Sequence, residues 1–329
     1  MTTHPVVMIR LGYACLSLGM PEPSMKTAQL GRFLKGFVDL TPIYRYNAEY
    51  VRRSIMHSAG LGLLSYRISS DLFPLLDIAP GARMLVPDLR SVRRAAERCC
   101  VHLSNHPSQF VVLSSPREEV VLNSLAVMND QGWVMDLLGA RGSITLHGGG
   151  VYGDRDSTAV RLREGIARLT PAARSRLALE NDERGWTVPE LLDATRGEVP
   201  IVFDHLHWAA NPRSAPYAVE LEGALGTWPA DRVPELHYSE QWEGKPAGAH
   251  AEHITGRGLL RFCEAIEEAS GGREVAVIVE AKRKDLAVVR AIGELTGRQR
   301  ARLEALAPGS TRGVVESSKG HRPSRVIAS

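Results

Sequence analysis

Two acidic residues end short apolar stretches and suggest metal chemistry. The stretch LALE at 177–180 ends in Glu180, and IVFD at 201–204 ends in Asp204, with His207 three residues further on. An aspartate and a histidine at this spacing, just past a strand, can turn toward one centre and bind a divalent ion. Taken alone, each residue has a structural alternative, as a solvated loop acid or a hydrogen-bonded histidine.

Four further residues follow apolar stretches in the same way: His106, His147, His237 and Glu280. His250, in GAH at 248–250, is a further candidate ligand. Unrelated loop residues have no reason to follow one strand after another. The whole set exceeds the ligands of one ion, so it predicts two or three divalent ions bridged by carboxylates. Imidazole and carboxylate ligands without a thiolate favour Mn²⁺, Zn²⁺ or Co²⁺ over a structural zinc or calcium.

Such a set needs a scaffold that brings strand ends together. Short apolar runs alternate with amphipathic segments, which is typical of a parallel sheet covered by helices. We predict eight strands, at 6–14, 63–69, 101–105, 143–147, 177–180, 201–204, 233–237 and 274–280. The predicted helices include 90–99, 118–138, 159–169, 188–195, 259–269 and 286–296. This order indicates an α/β protein with a (β/α)8 TIM-barrel fold, whose C-terminal strand ends meet at one rim.

The composition fits one intracellular domain. The 329 residues are 44% hydrophobic, enough for a single large core. We assign residues 1–308 to the barrel and residues 309–329, rich in Gly, Ser, Arg and Lys, to a flexible basic tail. The four cysteines form no CxxC motif, which favours reduced thiols in a cytoplasmic protein. We expect no secretory signal, because the N-terminus lacks a charged segment followed by a long apolar run. We expect no membrane span, because no stretch approaches about 18 uninterrupted apolar residues.

A few residues suit contacts with nucleic acid. Tyr13 follows the first strand, and Gln109 and Phe110 follow the third. Aromatic rings and an amide at the mouth of a metal pocket suit stacking on a base and hydrogen bonding to its edge, although a tyrosine at a strand end commonly just covers the core.

The net charge, 40 basic minus 37 acidic residues or +3, permits a polyanionic partner without requiring one. Clusters of basic residues at 90–98, 155–163 and 282–284 suit a phosphate backbone, although most such clusters are simply solvated helix faces.

Taken together, the motifs resemble the UV damage endonuclease family from about residue 9 to about residue 290. The matching segments are RLGY at 10–13, NHPSQF at 105–110, HGGGVYG at 147–153, LEND at 179–182, FDHLH at 203–207, HYSEQ at 237–241, GAH at 248–250 and EAK at 280–282. Each segment is weak evidence alone, whereas their joint pattern is highly specific.

The resemblance implies a TIM-barrel DNA repair nuclease that cuts DNA immediately 5′ of a UV photoproduct, leaving 3′-hydroxyl and 5′-phosphate ends. It implies metal-assisted hydrolysis with up to three ions, often Mn²⁺, bound by His106, His147, Glu180, Asp204, His207, His237, His250 and Glu280. Tyr13 and Gln109, with Phe110 beside them, would contact the lesion, and Glu180, Glu235 and Lys282 would act in catalysis. We expect a monomer that acts on double-stranded DNA.

The chain departs from the family pattern at two positions. Many family members have a lysine two residues before the histidine that corresponds to His237, and in some of them it is carboxylated and bridges metals. This chain has Glu235 there, whose carboxylate would supply that ligand directly. The family often has a Ser-His pair where this chain has Asp77 and Ile78, which leaves one metal position vacant or held by Asp77.

Two other functions stay open from the residues. A sugar isomerase or epimerase with a TIM-barrel fold also places Glu, Asp, His and two divalent ions at this rim, but it would need a small closed pocket. A catalytically impaired DNA-binding homologue would follow if the departures at Glu235 and Ile78 abolish the metal cluster.

Overall fold

The fold is an eight-stranded parallel barrel surrounded by helices. The computed structural model describes residues 7–314. Its strands are β1 (Ile9–Ala14), β2 (Ser65–Ser69), β3 (His102–His106), β4 (Ile144–His147), β5 (Leu177–Glu180), β6 (Ile201–Asp204), β7 (Glu235–Tyr238) and β8 (Val275–Val279). Each strand pairs in parallel with the next, and β1 also pairs with β8, which closes the barrel. The predicted TIM-barrel fold is therefore confirmed.

Helices cover the outside of the barrel. They are α1 (Leu30–Leu34), α2 (Leu40–Gly60), α3 (Arg90–Cys99), α4 (Glu118–Leu138), α5 (Arg155–Ala167), α6 (Pro171–Arg174), α7 (Val188–Thr195), α8 (His205–Ala210), α9 (Tyr217–Gly226), α10 (Gly256–Ala269), α11 (Lys284–Gly293) and α12 (Gly297–Leu306), with short 3-10 turns at Ser70–Leu72 and Ala82–Leu85. Helices α3, α4 and α7 have the predicted bounds. The structure adds helices that the apolar pattern did not delimit, such as α2 and α12.

Local sequence signals set several of these bounds. Strand β8 is VAVIV, a β-branched run buried at every position, as expected for a strand covered on both faces. Helix α7 begins with a capping box in which Thr187 and Glu190 bond each other's backbone N–H groups. Helix α4 ends at Leu138 and is capped by Gly139, whose φ of +62° favours glycine. Local sequence signals thus mark a buried strand, a helix start and a helix end.

The described chain stays packed beyond the predicted end of the barrel. Ser310 is buried, and the Glu304 carboxylate accepts hydrogen bonds from the backbone N–H groups of Gly309 and Thr311. The packed region thus extends at least six residues past the predicted boundary at 308, whereas residues 315–329 of the predicted tail lie outside the described residues. No helix within residues 7–314 has the length and apolarity needed to cross a membrane.

The close approach of β1 and β2 predicts that Gly12 cannot be replaced. A Cβ atom at Gly12 would collide with the backbone carbonyl of Ser65. We expect Gly12→Ala to lower the free energy of unfolding by about 1–3 kcal/mol or more, because the two strands would have to separate. Gly226→Ala is the matched control, since a Cβ at Gly226 would meet nothing within 4 Å. Thermal and denaturant unfolding would measure both, and equal stability of the two variants would contradict the prediction.

Candidate metal centre

Glu180, the last residue of β5, lies fully buried at the C-terminal end of the barrel. Its Oε2 accepts a hydrogen bond from His106 Nε2 at 2.8 Å, and its Oε1 accepts one from His237 Nδ1 at 2.7 Å. Ring nitrogens of His147 and His207 each lie 3.7 Å from the same carboxylate. Four imidazoles, from β3, β4, β7 and α8, therefore surround one carboxylate.

The surroundings set the charge of these groups. Burial alone would raise the pKa of Glu180, but the charges of His237 and His147 and the hydrogen bonds from His106 and His237 hold it well below its usual range. Burial alone would lower the pKa of His237, but the Glu180 charge and hydrogen bonds to two carboxylates raise it to about 9. Burial lowers the pKa of His147 to about 4. At neutral pH, Glu180 is thus ionised and His147 is neutral, which are the forms that bind divalent ions.

Asp204 and Glu280 extend the cluster toward β6 and β8. Asp204 is fully buried, and its Oδ1 accepts a hydrogen bond from the backbone N–H of His207, whereas its Oδ2 is buried with no hydrogen-bond partner among the described residues. The Glu280 carboxylate lies 3.5 Å from His237 Nδ1 and 3.6 Å from His250 Nδ1. A buried carboxylate oxygen without a donor is costly, so Asp204 Oδ2 fits the role of a cation ligand.

The donor atoms form two sets that each fit one divalent ion. The first set is His106, His147 and Glu180, and the second is Glu180, Asp204, His237 and Glu280. Within each set, one donor atom from each residue lies within 4.8 Å of all the others. Glu180 belongs to both sets, so its two oxygens suit a bridge between two ions. His207 and His250 lie beside the second set, and all eight predicted metal ligands therefore lie at one end of the barrel.

The polar residues that follow Glu180 hold neighbouring strand ends in place. Asn181 Nδ2 donates to the backbone carbonyl of Asp204 at 3.1 Å, and Asn181 Oδ1 accepts from the Asp204 N–H at 2.8 Å. These two bonds fix the end of β5 relative to the end of β6. The Asp182 carboxylate accepts hydrogen bonds from the backbone N–H groups of Arg184 and Trp186, which closes the loop after β5.

Trp186 joins this loop to the glycine-rich loop after β4. Its indole N–H donates to the Gly149 carbonyl at 2.8 Å, and a Cβ atom at Gly148 would collide with the indole ring. Gly149 has a φ of +80°, which an L-residue rarely adopts. The Arg155 guanidinium lies 5.1 Å from the centre of the Trp186 ring. The first two glycines after His147 thus give room for the indole and for a left-handed turn.

A cavity of about 600 Å³ opens above the ligands. His147, His207, His250 and Glu280 lie on its wall, so a bound molecule in the cavity would reach the candidate metal ligands. Its remaining wall includes Gln109, Arg155 and Arg184. The site thus combines ligands for cations with an amide and two guanidinium groups.

The three residues predicted to contact the lesion are placed differently. Gln109 is on the cavity wall, and the neighbouring Phe110 side chain is 79% exposed. Tyr13, in contrast, is fully buried; its hydroxyl bonds Ser17 Oγ at 2.6 Å, and its ring packs edge-on against Tyr66. The prediction that Tyr13 contacts DNA is therefore corrected, because this side chain belongs to the core.

Glu235 also differs from its predicted role as a metal ligand. It begins β7, two residues before His237, so its side chain points to the same face but lies about 6–7 Å deeper in the barrel. Its Oε1 accepts hydrogen bonds from Ser143 Oγ at 3.1 Å, Thr145 Oγ1 at 3.2 Å and His237 Nε2 at 3.3 Å. Glu235 thus contacts the far nitrogen of a candidate ligand rather than the ligand cluster itself.

The other two predicted positions lie outside the ligand sets. Lys282 is exposed just after Glu280, with its ammonium 4.0 Å from the centre of the Trp242 ring. Asp77 is exposed in the loop after β2, where it lines a separate small cavity together with Asp130. The structure therefore does not place Asp77 among the metal ligands.

Arg67 is a site residue that the sequence reading missed. This residue of β2 is 9% exposed, and its guanidinium forms an ion pair with Glu280. It brings one permanent positive charge to a centre that otherwise contains several carboxylates. The sequence did carry a signal, because a charged residue inside the predicted strand at 63–69 must find a partner when it is buried.

Known proteins resemble the chain over most of its length. A sequence model described as UV-endonuclease UvdE matches residues 9–306. A Clostridium perfringens protein named UV DNA damage endonuclease is 26% identical over 300 residues, which cover 87% of this chain and 71% of that protein. A Bacillus cereus protein of the same name is 28% identical over 266 residues, covering 78% and 83%. The crystal structure of SacUVDE, 23% identical, covers 95% of this chain and 99% of its own, with a TM-score of 0.76. The chain belongs to the UV-endonuclease UvdE family.

Proposed function

We propose that the protein is a divalent-metal-dependent endonuclease that cuts double-stranded DNA immediately 5′ of UV photoproducts, leaving 3′-hydroxyl and 5′-phosphate ends, and that it acts as a monomer. Two kinds of support exist for this proposal. The chain belongs to a family whose curated relatives are named UV DNA damage endonuclease. The observation that carries the proposal is the convergence of imidazoles and carboxylates around the buried Glu180 at an accessible cavity.

The residues present fit a cluster of divalent ions, which we take to be Mn²⁺, with Zn²⁺ or Co²⁺ as alternatives. Two donor sets share Glu180, and Asp204 Oδ2 is buried without a hydrogen-bond donor. Bound ions would supply Lewis acidity that neutralises charge developing on the phosphodiester. The chain itself contributes the ligand geometry, an ionised Glu180 and the positive charge of Arg67 beside Glu280. Glu180 and Arg67 lie within strands, and Glu280 directly follows β8, so these groups are held close to the rigid barrel, as a preorganised site requires.

Recognition of damage would rely on the cavity and its rim. A crosslinked dinucleotide stacks and pairs poorly, so it costs a few kcal/mol less to flip out of the duplex than intact bases do. The cavity volume of about 600 Å³ lies within the range of about 300–1,000 Å³ that is usual for ligand sites. Gln109 on its wall and the exposed Phe110 would hydrogen-bond to and stack on the displaced bases.

The proposed nuclease activity predicts selective nicking of irradiated DNA. With Mn²⁺, we expect the protein to nick UV-irradiated duplex and to leave undamaged duplex intact, with ends that a polymerase can extend and a ligase can join. Glu180→Gln should reduce the rate by at least about 100-fold, because a ligand shared by both ions matters more than an outer partner, whose loss typically costs 10–100-fold. Glu222→Gln, at an exposed position of α9, is the matched control. Equal treatment of both duplexes, or full activity of Glu180→Gln, would refute the proposal.

The two donor sets predict two strongly bound Mn²⁺ ions per chain. Titration calorimetry and elemental analysis of the dialysed protein would count them, independently of any activity. Glu180→Gln should weaken both sites because each set uses this carboxylate, whereas Glu222→Gln should bind like the wild type. Failure of the wild type to bind Mn²⁺, Zn²⁺ or Co²⁺ would instead favour a catalytically impaired DNA-binding homologue.

The contact between Glu235 and His237 predicts a positioning role for Glu235. Metal-binding histidines commonly donate their second ring N–H to a carboxylate, and loss of such a partner costs about 10–100-fold in metal affinity or activity. We expect Glu235→Gln to weaken Mn²⁺ binding by this factor, as measured by calorimetry. Glu220→Gln is the control, because Glu220 is equally buried but accepts hydrogen bonds from the backbone of Val188 and Ala215. An unchanged Mn²⁺ affinity of Glu235→Gln would show that Glu235 has no such role.

A further inference from the structure

The loop that follows β7, residues 239–251, is folded as a compact hairpin beside the candidate metal centre. Gln241 and His250 form an antiparallel bridge, and the backbone N–H of Trp242 donates to the Ala249 carbonyl at 2.7 Å. The Gln241 side chain donates to three backbone carbonyls of the loop and accepts from the Gly248 N–H at 2.9 Å. The loop therefore has a fixed shape although much of it is exposed.

This hairpin is tied to the segment after β8 that carries Glu280. The Lys282 N–H donates to the Ala251 carbonyl at 3.0 Å, and the Arg283 N–H donates to the Glu252 carbonyl at 2.9 Å. His250 Nδ1 lies 3.2 Å from the backbone carbonyl of Glu280. The base of the hairpin, which carries His250, is thus held next to Glu280, and both residues are candidate metal ligands.

Trp242 contacts two lysines, Lys245 on the hairpin and Lys282 in the segment after β8. The ammonium of Lys282 lies 4.0 Å from the centre of the indole ring, and that of Lys245 lies 5.3 Å from it. Both distances are within the range of about 6 Å for a cation–π contact. The sequence has only six lysines, at positions 26, 35, 245, 282, 284 and 319, so two of the six meet at one aromatic ring.

Neither lysine is neutralised by an acid. Among the ion pairs of residues 7–314, with N···O distances up to 4.0 Å, none involves Lys245 or Lys282. The hairpin contains two acids. Glu240 is used by the Tyr238 hydroxyl and by the backbone and side chain of Thr255, and Glu243 forms no ion pair within 4.0 Å with either lysine. Two exposed positive charges therefore lie at one aromatic ring, on a hairpin whose Gly248 and His250 line the cavity.

We infer that Trp242, Lys245 and Lys282 form a clamp for the phosphates of the DNA strand next to the cut. This inference rests on the proposed function and adds the residues that hold the backbone. Lysine ammonium groups bind phosphates as point charges, and a ring that limits their rotamers reduces the entropy lost on binding. Because ammonium groups occupy the indole ring, Trp242 serves to orient the lysines rather than to stack on a base.

The salt dependence of DNA binding tests the clamp. Affinity for an undamaged labelled duplex would be measured by anisotropy between about 50 and 200 mM salt, where each phosphate contact adds about 0.9 to the slope of log K against log salt. We expect the slope of the double variant Lys245→Gln/Lys282→Gln to be shallower by about 1.8. Trp242→Leu should also give a shallower slope although it changes no charge.

The control is Arg174→Gln, which removes one exposed charge from α6, just before β5 and hence at the opposite end of the barrel. Its slope should equal that of the wild type. Slopes of the double variant and of Trp242→Leu that match the control would overturn the clamp while leaving the proposed function intact. Absence of DNA binding by the wild type even at low salt would instead overturn the proposed function.

Discussion

The structure depends on a carboxylate that is buried where water cannot solvate it. Glu180 ends an apolar strand and has no exposed surface, and a charge in that position must be compensated by partners. The compensation comes from imidazoles on β3, β4, β7 and α8, which are far apart in the sequence. The closed barrel brings these elements to one point. The need to compensate the buried charge of Glu180 therefore links the fold to the site.

The sequence was sufficient to predict the scaffold and to place the candidate ligands at one end of it. The order of apolar runs and helices predicted all eight strands, with β5 and β6 at their observed bounds. The reason is physical: a strand buried on both faces is a continuous apolar run, so the first polar residue after it marks the rim. That rule located Glu180, Asp204 and His147 at the same end of the barrel, and the family motifs of the sequence agreed with it.

The sequence did not determine which face a rim residue points to or how deep it lies. Alternation along a strand places Glu235 and His237 on the same face but does not say that only His237 reaches the ligands. Tyr13 lies near the end of β1, yet its ring is part of the core beside Tyr66. Arg67 was missed because its partner, Glu280, is more than 200 residues away. Such facts depend on neighbouring strands and not on local pattern.

The hydrogen bond from His237 to Glu235 also matters for anyone who would transplant this centre into a designed barrel. If only the rim residues were copied, the His237 imidazole would pack against an apolar side chain of the new barrel and lose its hydrogen bond to Glu235. The His237 ring would then be free to rotate, and its pKa would change because one of its two carboxylate partners is missing. A designed barrel therefore needs two layers of side chains: the rim ligands and, beneath them, Glu235 with the Ser143 and Thr145 hydroxyl groups that donate hydrogen bonds to its carboxylate.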